Sequence, residues 1–247
     1  MKTNSKNTNP YNICTLDKSS DCEGCKNQRK ITCKFDTNVK NTFTNVGMPA
    51  ALIPLMGFVM IGLISGTWWI LIAYVAYFII MFNVFEIRFL CSHCPYYADN
   101  NKTLKCPGNY GSPKFWKYHP EPMNRFEKFM MRFSIIGMVF FILPLAGLGY
   151  GILYLSLNYT EFGLISLAGM IALWVGSLAT SLSFVSMLST FYCSKCVNFS
   201  CPYNTVSKAV VDDYLRKNEV MKEAWEKSGY VLDEQEKPNL NKGSLVS

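Results

Sequence analysis

The chain has 247 residues, of which half are hydrophobic and only 17% charged, and its net charge is +7. An ordinary soluble domain carries about a quarter charged residues, so this composition excludes that class. The positive balance follows from loop topology and calls for no nucleic-acid partner.

Residues 1–12 are rich in Asn, Lys and Thr and predict disorder. Cys14-x7-Cys22-x2-Cys25-x7-Cys33 follows, four thiols within a short polar stretch. A C-x2-C pair lets two sulfurs bind one ion from a tight turn, and Gly24 suits that turn. The outer cysteines are placed to close a tetrahedron, and the segment has too few large apolar residues to fold without a staple. These residues therefore predict a four-thiolate site for zinc, with an iron–sulfur cluster as the alternative.

Four apolar runs are long enough to cross a bilayer, which needs about 20 apolar residues per helix. They are Val46–Ser65, Thr67–Leu90, Phe133–Tyr154 and Gly163–Tyr192, and none has a charge in its middle. The first two are joined around Ser65-Gly-Thr67 as a tight hairpin, with Trp68 and Trp69 at the outer interface. Pro54 and Pro144 predict kinks, and Gly57, Gly62, Gly147, Gly149 and Gly151 predict close helix approach. Glu86 near the end of the second run is expected to reach the headgroups, with a proton or ion role as the alternative.

Two motifs follow the second and fourth runs. The first is Phe89-Leu-Cys-Ser-His-Cys94 with Cys106-Pro-Gly-Asn109; the second is Phe191-Tyr-Cys-Ser-Lys-Cys196 with Cys201-Pro-Tyr-Asn204. Pro54-Leu-Met-Gly57 and Pro144-Leu-Ala-Gly147 echo each other upstream. The unit is two apolar helices plus three cysteines, used twice. Eight Lys and Arg precede the first run, six lie in Cys91–Lys128 and eight lie beyond Cys193, whereas the two opposite turns have none. The expected topology therefore puts both termini and all ten cysteines on the cytoplasmic side of an inner membrane, with no signal peptide.

The expected fold is all-α and integral to the membrane: four transmembrane helices as two repeated hairpins with a cysteine-rich cytoplasmic cap. Residues 1–45 form the N-terminal metal-binding segment, 46–132 the first repeat, 133–204 the second, and 205–247 an amphipathic helix and tail. The loop Cys91–Lys128 is aromatic-rich and expected to be ordered. Its end, Glu121–Lys128, predicts a short amphipathic helix with Pro122 in the first turn. Thr205–Ser228 predicts one helix with Val211, Tyr214, Leu215, Met221 and Trp225 on its apolar stripe, ended by Gly229. The last 18 residues are expected to fray.

Cytoplasmic thiols stay reduced, so clustered cysteines point to metal rather than disulfides. Cys91, Cys94, Cys106, Cys193, Cys196 and Cys201 admit three arrangements. The two C-x2-C turns can share one zinc, leaving Cys106 and Cys201 spare. Each half can hold its own ion or cluster with three thiolates, with His119 or His93 as a fourth ligand in the first half. One or two iron–sulfur clusters can sit between the halves. Zinc would only hold hairpins together, whereas a cluster would carry electrons from a soluble donor to a quinone-like or haem partner. The layout resembles that of small membrane electron-transfer subunits of anaerobic respiration, which place Cys-Pro motifs at the ends of about four spans. Those subunits space the cysteines differently from Cys91-x2-Cys94-Pro95.

The function expected is that of an iron–sulfur subunit for electron transfer, working in lipid with protein partners or a soluble redox donor. A zinc-bearing scaffold or assembly subunit is the alternative, and a soft-metal transporter a third that the ligand-poor spans disfavour. No nucleotide-binding, metalloprotease or hydrolase motif occurs, which argues against an enzyme in its own right.

Overall fold

A computed structural model describes residues 9–17, 19, 20, 22 and 24–233. The disorder expected at residues 1–8 and the fraying expected beyond residue 233 lie outside these. Four helices are long and apolar enough to cross a membrane: α1 (Thr37–Ser65), α2 (Trp69–His93), α3 (Arg125–Leu157) and α4 (Tyr159–Lys195). They mark a multi-pass membrane protein whose outer helix faces contact lipid.

Two of these helices start well before the apolar stretch that announces them, because local capping sets their first turn. Asp36 accepts hydrogen bonds from the amides of Asn38 and Val39, so α1 starts inside the polar segment, nine residues before Val46. The boundary expected at residue 45 therefore falls within a helix. Asn124 and Glu127 form a reciprocal capping box that starts α3. Pro122 thus precedes the helix instead of lying in its first turn, and the helical stretch Arg125–Met130 leads straight into the span.

The long helices are not uniformly α-helical. α2 widens to a π turn at Met81–Phe85 and tightens to a 3-10 turn at Cys91–His93. α4 does the same at Leu188–Tyr192 and Cys193–Lys195. α3 is π-helical over Met131–Ile142, just before Pro144. A proline ring clashes with the carbonyl four residues back, and the wider spacing relieves that clash.

Between α2 and α3 lies an antiparallel pair, β1 (Thr103–Lys105) and β2 (Tyr110–Pro113). Beyond α4 the expected single helix is two, α5 (Lys208–Arg216) and α6 (Glu219–Lys227), broken at Lys217 and Asn218. The predicted stripe holds: Val211, Tyr214, Leu215, Met221 and Trp225 are all buried. Gly229 follows with φ +87°, a left-handed conformation that suits glycine. Tyr230 stacks edge-on against Trp225, so the expected fraying does not begin there.

The interior forms three successive clusters. One, around Phe58, Ile61 and Leu148, packs α1 to α3. There Leu148 occupies the space beside Gly57, and Phe58 the space beside Gly147. A second, around Ala50, Met131, Phe140 and Phe184, lies nearer the cysteines. The third joins Cys91, Cys94, Tyr96, Tyr118 and Tyr214 to residues of the N-terminal segment and of α5 and α6.

Candidate metal centre

Both C-x2-C pairs ride on the ends of long helices. In each, the first cysteine opens a 3-10 turn and the second turns out into extended backbone, with φ and ψ of −87° and 137° at Cys94 and −76° and 133° at Cys196. The amide of Cys94 donates to the carbonyl of Cys91 at 2.9 Å. The third cysteines arrive from different structures. Cys106 follows β1, and Cys201 lies in a turn closed by its amide on Asn198 and by the Asn204 amide on Cys201.

Three asparagines tie these turns together. Asn204 donates through its side chain to the carbonyls of Cys196 and Asn198, at 2.7 and 3.0 Å. Asn109, its counterpart in the Cys-Pro-x-Asn motif, instead donates to Glu86 Oε2 at 3.4 Å. Asn198 is 3% exposed and links the two cysteine motifs, donating to the Leu90 carbonyl at 2.8 Å.

All six cysteines line one cavity of about 940 Å³. Its wall also includes Glu86, Asn109 and Tyr96, and it continues toward the spans past Phe78, Phe82, Phe140 and Phe184. Met48 of α1 and Phe191 of α4 line it and are exposed. Glu86 is therefore a wall residue and does not make the outward reach expected of it.

Burial pushes the thiols up. Cys94 is held well above the ordinary thiol range, first by burial and then by the nearby Cys106, Cys196 and Cys201. Burial brings Cys196 to about 12, with Cys201 and Cys106 adding to the shift. Cys201 also rises to about 12, chiefly by burial. Burial raises Cys106 against the amides of Gly108 and Asn109, which favour its thiolate. Cys106 and Cys201 thus belong electrostatically to the same group as the C-x2-C cysteines.

The histidines do not join that wall. His93 bonds through Nδ1 with the Glu121 carbonyl at 2.7 Å, and its Nε2 lies 3.5 Å from Glu127 Oε2. His119 pairs with the Glu121 carboxylate at 2.8 Å. His119 and His93, the two candidate fourth ligands, both lie outside the residues lining the cavity.

The N-terminal cysteines gather at a second place. Cys33 is raised to about 12, mainly by burial and further by Cys14, Cys25 and Cys22. Burial opposes the Cys25 thiolate, but Lys217 and the amides of Asn27 and Gln28 outweigh it and lower that thiol. The segment sits on the rest of the fold: Thr32 N donates to the Lys195 carbonyl at 2.7 Å, and the Tyr96 hydroxyl to the Thr32 carbonyl at 3.0 Å. Among the described residues, no three His, Cys, Asp or Glu side chains stand as a ready-made metal-holding group.

Sequence reasoning passed over Asn198, Lys217 and Asn218, whose roles arise from contacts distant in sequence. Asn109 and Asn204 carried a signal, since both close the repeated Cys-Pro-x-Asn motif. No protein-family model matches the chain, and neither a curated protein nor a solved structure matches it.

Proposed function

We propose that Cys91, Cys94, Cys106, Cys193, Cys196 and Cys201 bind iron–sulfur clusters. In this reading the protein carries electrons between a soluble donor on the cytoplasmic side and a lipid-soluble acceptor. The observation that carries it is one cavity whose wall includes all six cysteines. A lone zinc shared by two C-x2-C turns needs four thiols and little room, and it would leave Cys106 and Cys201 spare. Here the two sit on the same wall as the others. Thiolate ligands, limited water and nearby hydrogen-bond donors are the features that hold and tune such clusters.

The part of the cavity nearer the spans is aromatic, and its lining residues Met48 and Phe191 are exposed. It suits a quinone-class acceptor, which takes up two electrons and two protons to become a quinol. Glu86 is an acidic side chain on the wall, and in this reading it supplies a proton to the reduced carbonyl oxygen. The Lys and Arg distribution supports placing the cysteines on the cytoplasmic side.

The test is anaerobic purification with iron, acid-labile sulfide and visible spectroscopy. Iron with sulfide and a broad absorption that dithionite bleaches are expected. Zinc alone, in colourless protein, would replace electron transfer with a scaffold role.

A further inference from the structure

Among its described residues the segment from Asn9 to Phe35 contains no helix or strand, yet it is pinned in detail. Ile13 is fully buried, and Thr15 shares a hydrogen bond of 2.6 Å with the Tyr214 hydroxyl of α5. Asn27 is 1% exposed and donates to the Val210 carbonyl at 3.4 Å. Lys34 reaches back to the carbonyls of Cys14, Thr15 and Asp17 and to Ser20 Oγ, folding the first half of the segment onto the second.

Two consecutive residues at the α5–α6 break point at sulfur. Lys217 Nζ lies 3.1 Å from Cys25 Sγ, and Asn218 Nδ2 lies 3.3 Å from Cys14 Sγ. Asn218 is fully buried; its Oδ1 accepts from the Cys14 amide at 2.7 Å, and its Nδ2 also donates to the Tyr214 carbonyl at 2.7 Å. Donors aimed at two sulfurs from one turn are the outer shell expected around thiolates that hold a cation. None of the four N-terminal cysteines lines the large cavity, so any ion here is separate from the six-cysteine group.

We propose that Cys14, Cys22, Cys25 and Cys33 close on one zinc ion, with Lys217 and Asn218 as its outer donors, stapling the N-terminal segment to α5 and α6. Four thiols give up four protons as four Zn–S bonds form, leaving a complex of net charge −2. The Lys217 ammonium offsets part of that charge at Cys25. Asn218 fixes Cys14 from both its amide and its sulfur. Zinc suits the place because four thiolates complete its shell and no electron need pass. A segment with so few large apolar residues gains its order from such an ion.

The test uses the full chain in detergent, measuring zinc and iron per chain and amide hydrogen exchange before and after chelation. One zinc per chain is expected, lost in Cys22→Ser/Cys25→Ser and kept in Cys193→Ser/Cys196→Ser. Chelation should raise exchange in both residues 9–36 and residues 208–227. Lys217→Met should weaken zinc about tenfold or more in chelator competition, with Lys217→Arg recovering most of the loss. If the cysteine variants fail to accumulate, the lysine variants and the chelation experiment still decide. Absence of zinc, iron in its place, zinc lost with Cys193 and Cys196, or unchanged exchange in the tail helices would each overturn the proposal. Iron bound at the six-cysteine cavity is counted separately, so either centre can fail alone.

Discussion

Leu148 of α3 lies so close to Gly57 of α1 that a β-carbon on Gly57 would clash with its Cδ2. The relationship is reciprocal, since a β-carbon on Gly147 would meet Phe58 Cε1 at 2.5 Å. Leu148 and Phe58 are both fully buried, so neither can swing away freely. Gly57→Ala and Gly147→Ala should each destabilise the fold by about 1–3 kcal/mol, as overpacking does. Gly149→Ala is the control, because its β-carbon would meet nothing within 4 Å. Thermal unfolding of the three variants in one detergent checks the ranking.

Cys106→Ser and Cys201→Ser should each lower iron content and bleach the visible spectrum. That outcome follows from their place on the cavity wall beside the two C-x2-C pairs. Retention of full metal content in both would instead fit a single ion held by the C-x2-C cysteines alone.

Loading of the cavity should depend steeply on pH. Burial raises Cys94, Cys106, Cys196 and Cys201, so the unloaded thiols hold their protons at neutral pH. Thiolate ligation expels those protons, and affinity should rise by roughly tenfold per pH unit for each thiol deprotonated. The unloaded fold has the complementary behaviour. Its raised thiols contribute stability below the ordinary thiol value of 9.0, and that contribution is lost as pH climbs toward about 12. Metal titrations from pH 6 to 8, and unfolding of unloaded protein above pH 9, give the two slopes.

Asp212 gives the docked tail an acid limit. It is 1% exposed, and burial alone would raise its carboxyl. Hydrogen bonds from Lys208 at 2.8 Å, the Tyr230 hydroxyl at 2.7 Å and the Asp233 amide at 3.0 Å outweigh that and hold it below 3.8. A lowered carboxyl contributes stability above its unfolded value and loses it as pH falls through the folded one. Exchange protection of α5 should therefore persist at pH 5 and fall below about pH 4. Asp212→Asn should weaken that protection at neutral pH by about 1–3 kcal/mol, since the charge no longer anchors its donors.

Asn198→Ala should separate the two cysteine motifs. It removes the side-chain bond to the Leu90 carbonyl and leaves Ser200 Oγ without the Asn198 acceptor. A buried polar loss of this kind costs about 1–3 kcal/mol. Thermal unfolding should fall accordingly, and the reactivity of Cys91 and Cys196 toward a bulky maleimide should rise.

The four spans were legible because apolar length alone specifies a helix in lipid. Their ends were not, since Asp36 and the Asn124–Glu127 box each act through a pair of local hydrogen bonds that outrun the apolar pattern. The stripe on the tail was read correctly from its spacing. The break within it was missed, because Asn218 is committed to Cys14, a residue 204 positions away. The six cavity cysteines were found by motif, but Glu86 was placed outward because one-dimensional position near a helix end does not reveal which way it faces.

The bond between Cys14 and Asn218 also orders events during synthesis. A ribosome delivers Cys14 long before Asn218, after four hydrophobic helices have been handed to the membrane. The N-terminal thiols must wait through that interval without their seat on the tail. Only when the last helices emerge can the first segment settle, so the opening of the chain becomes the final part to mature.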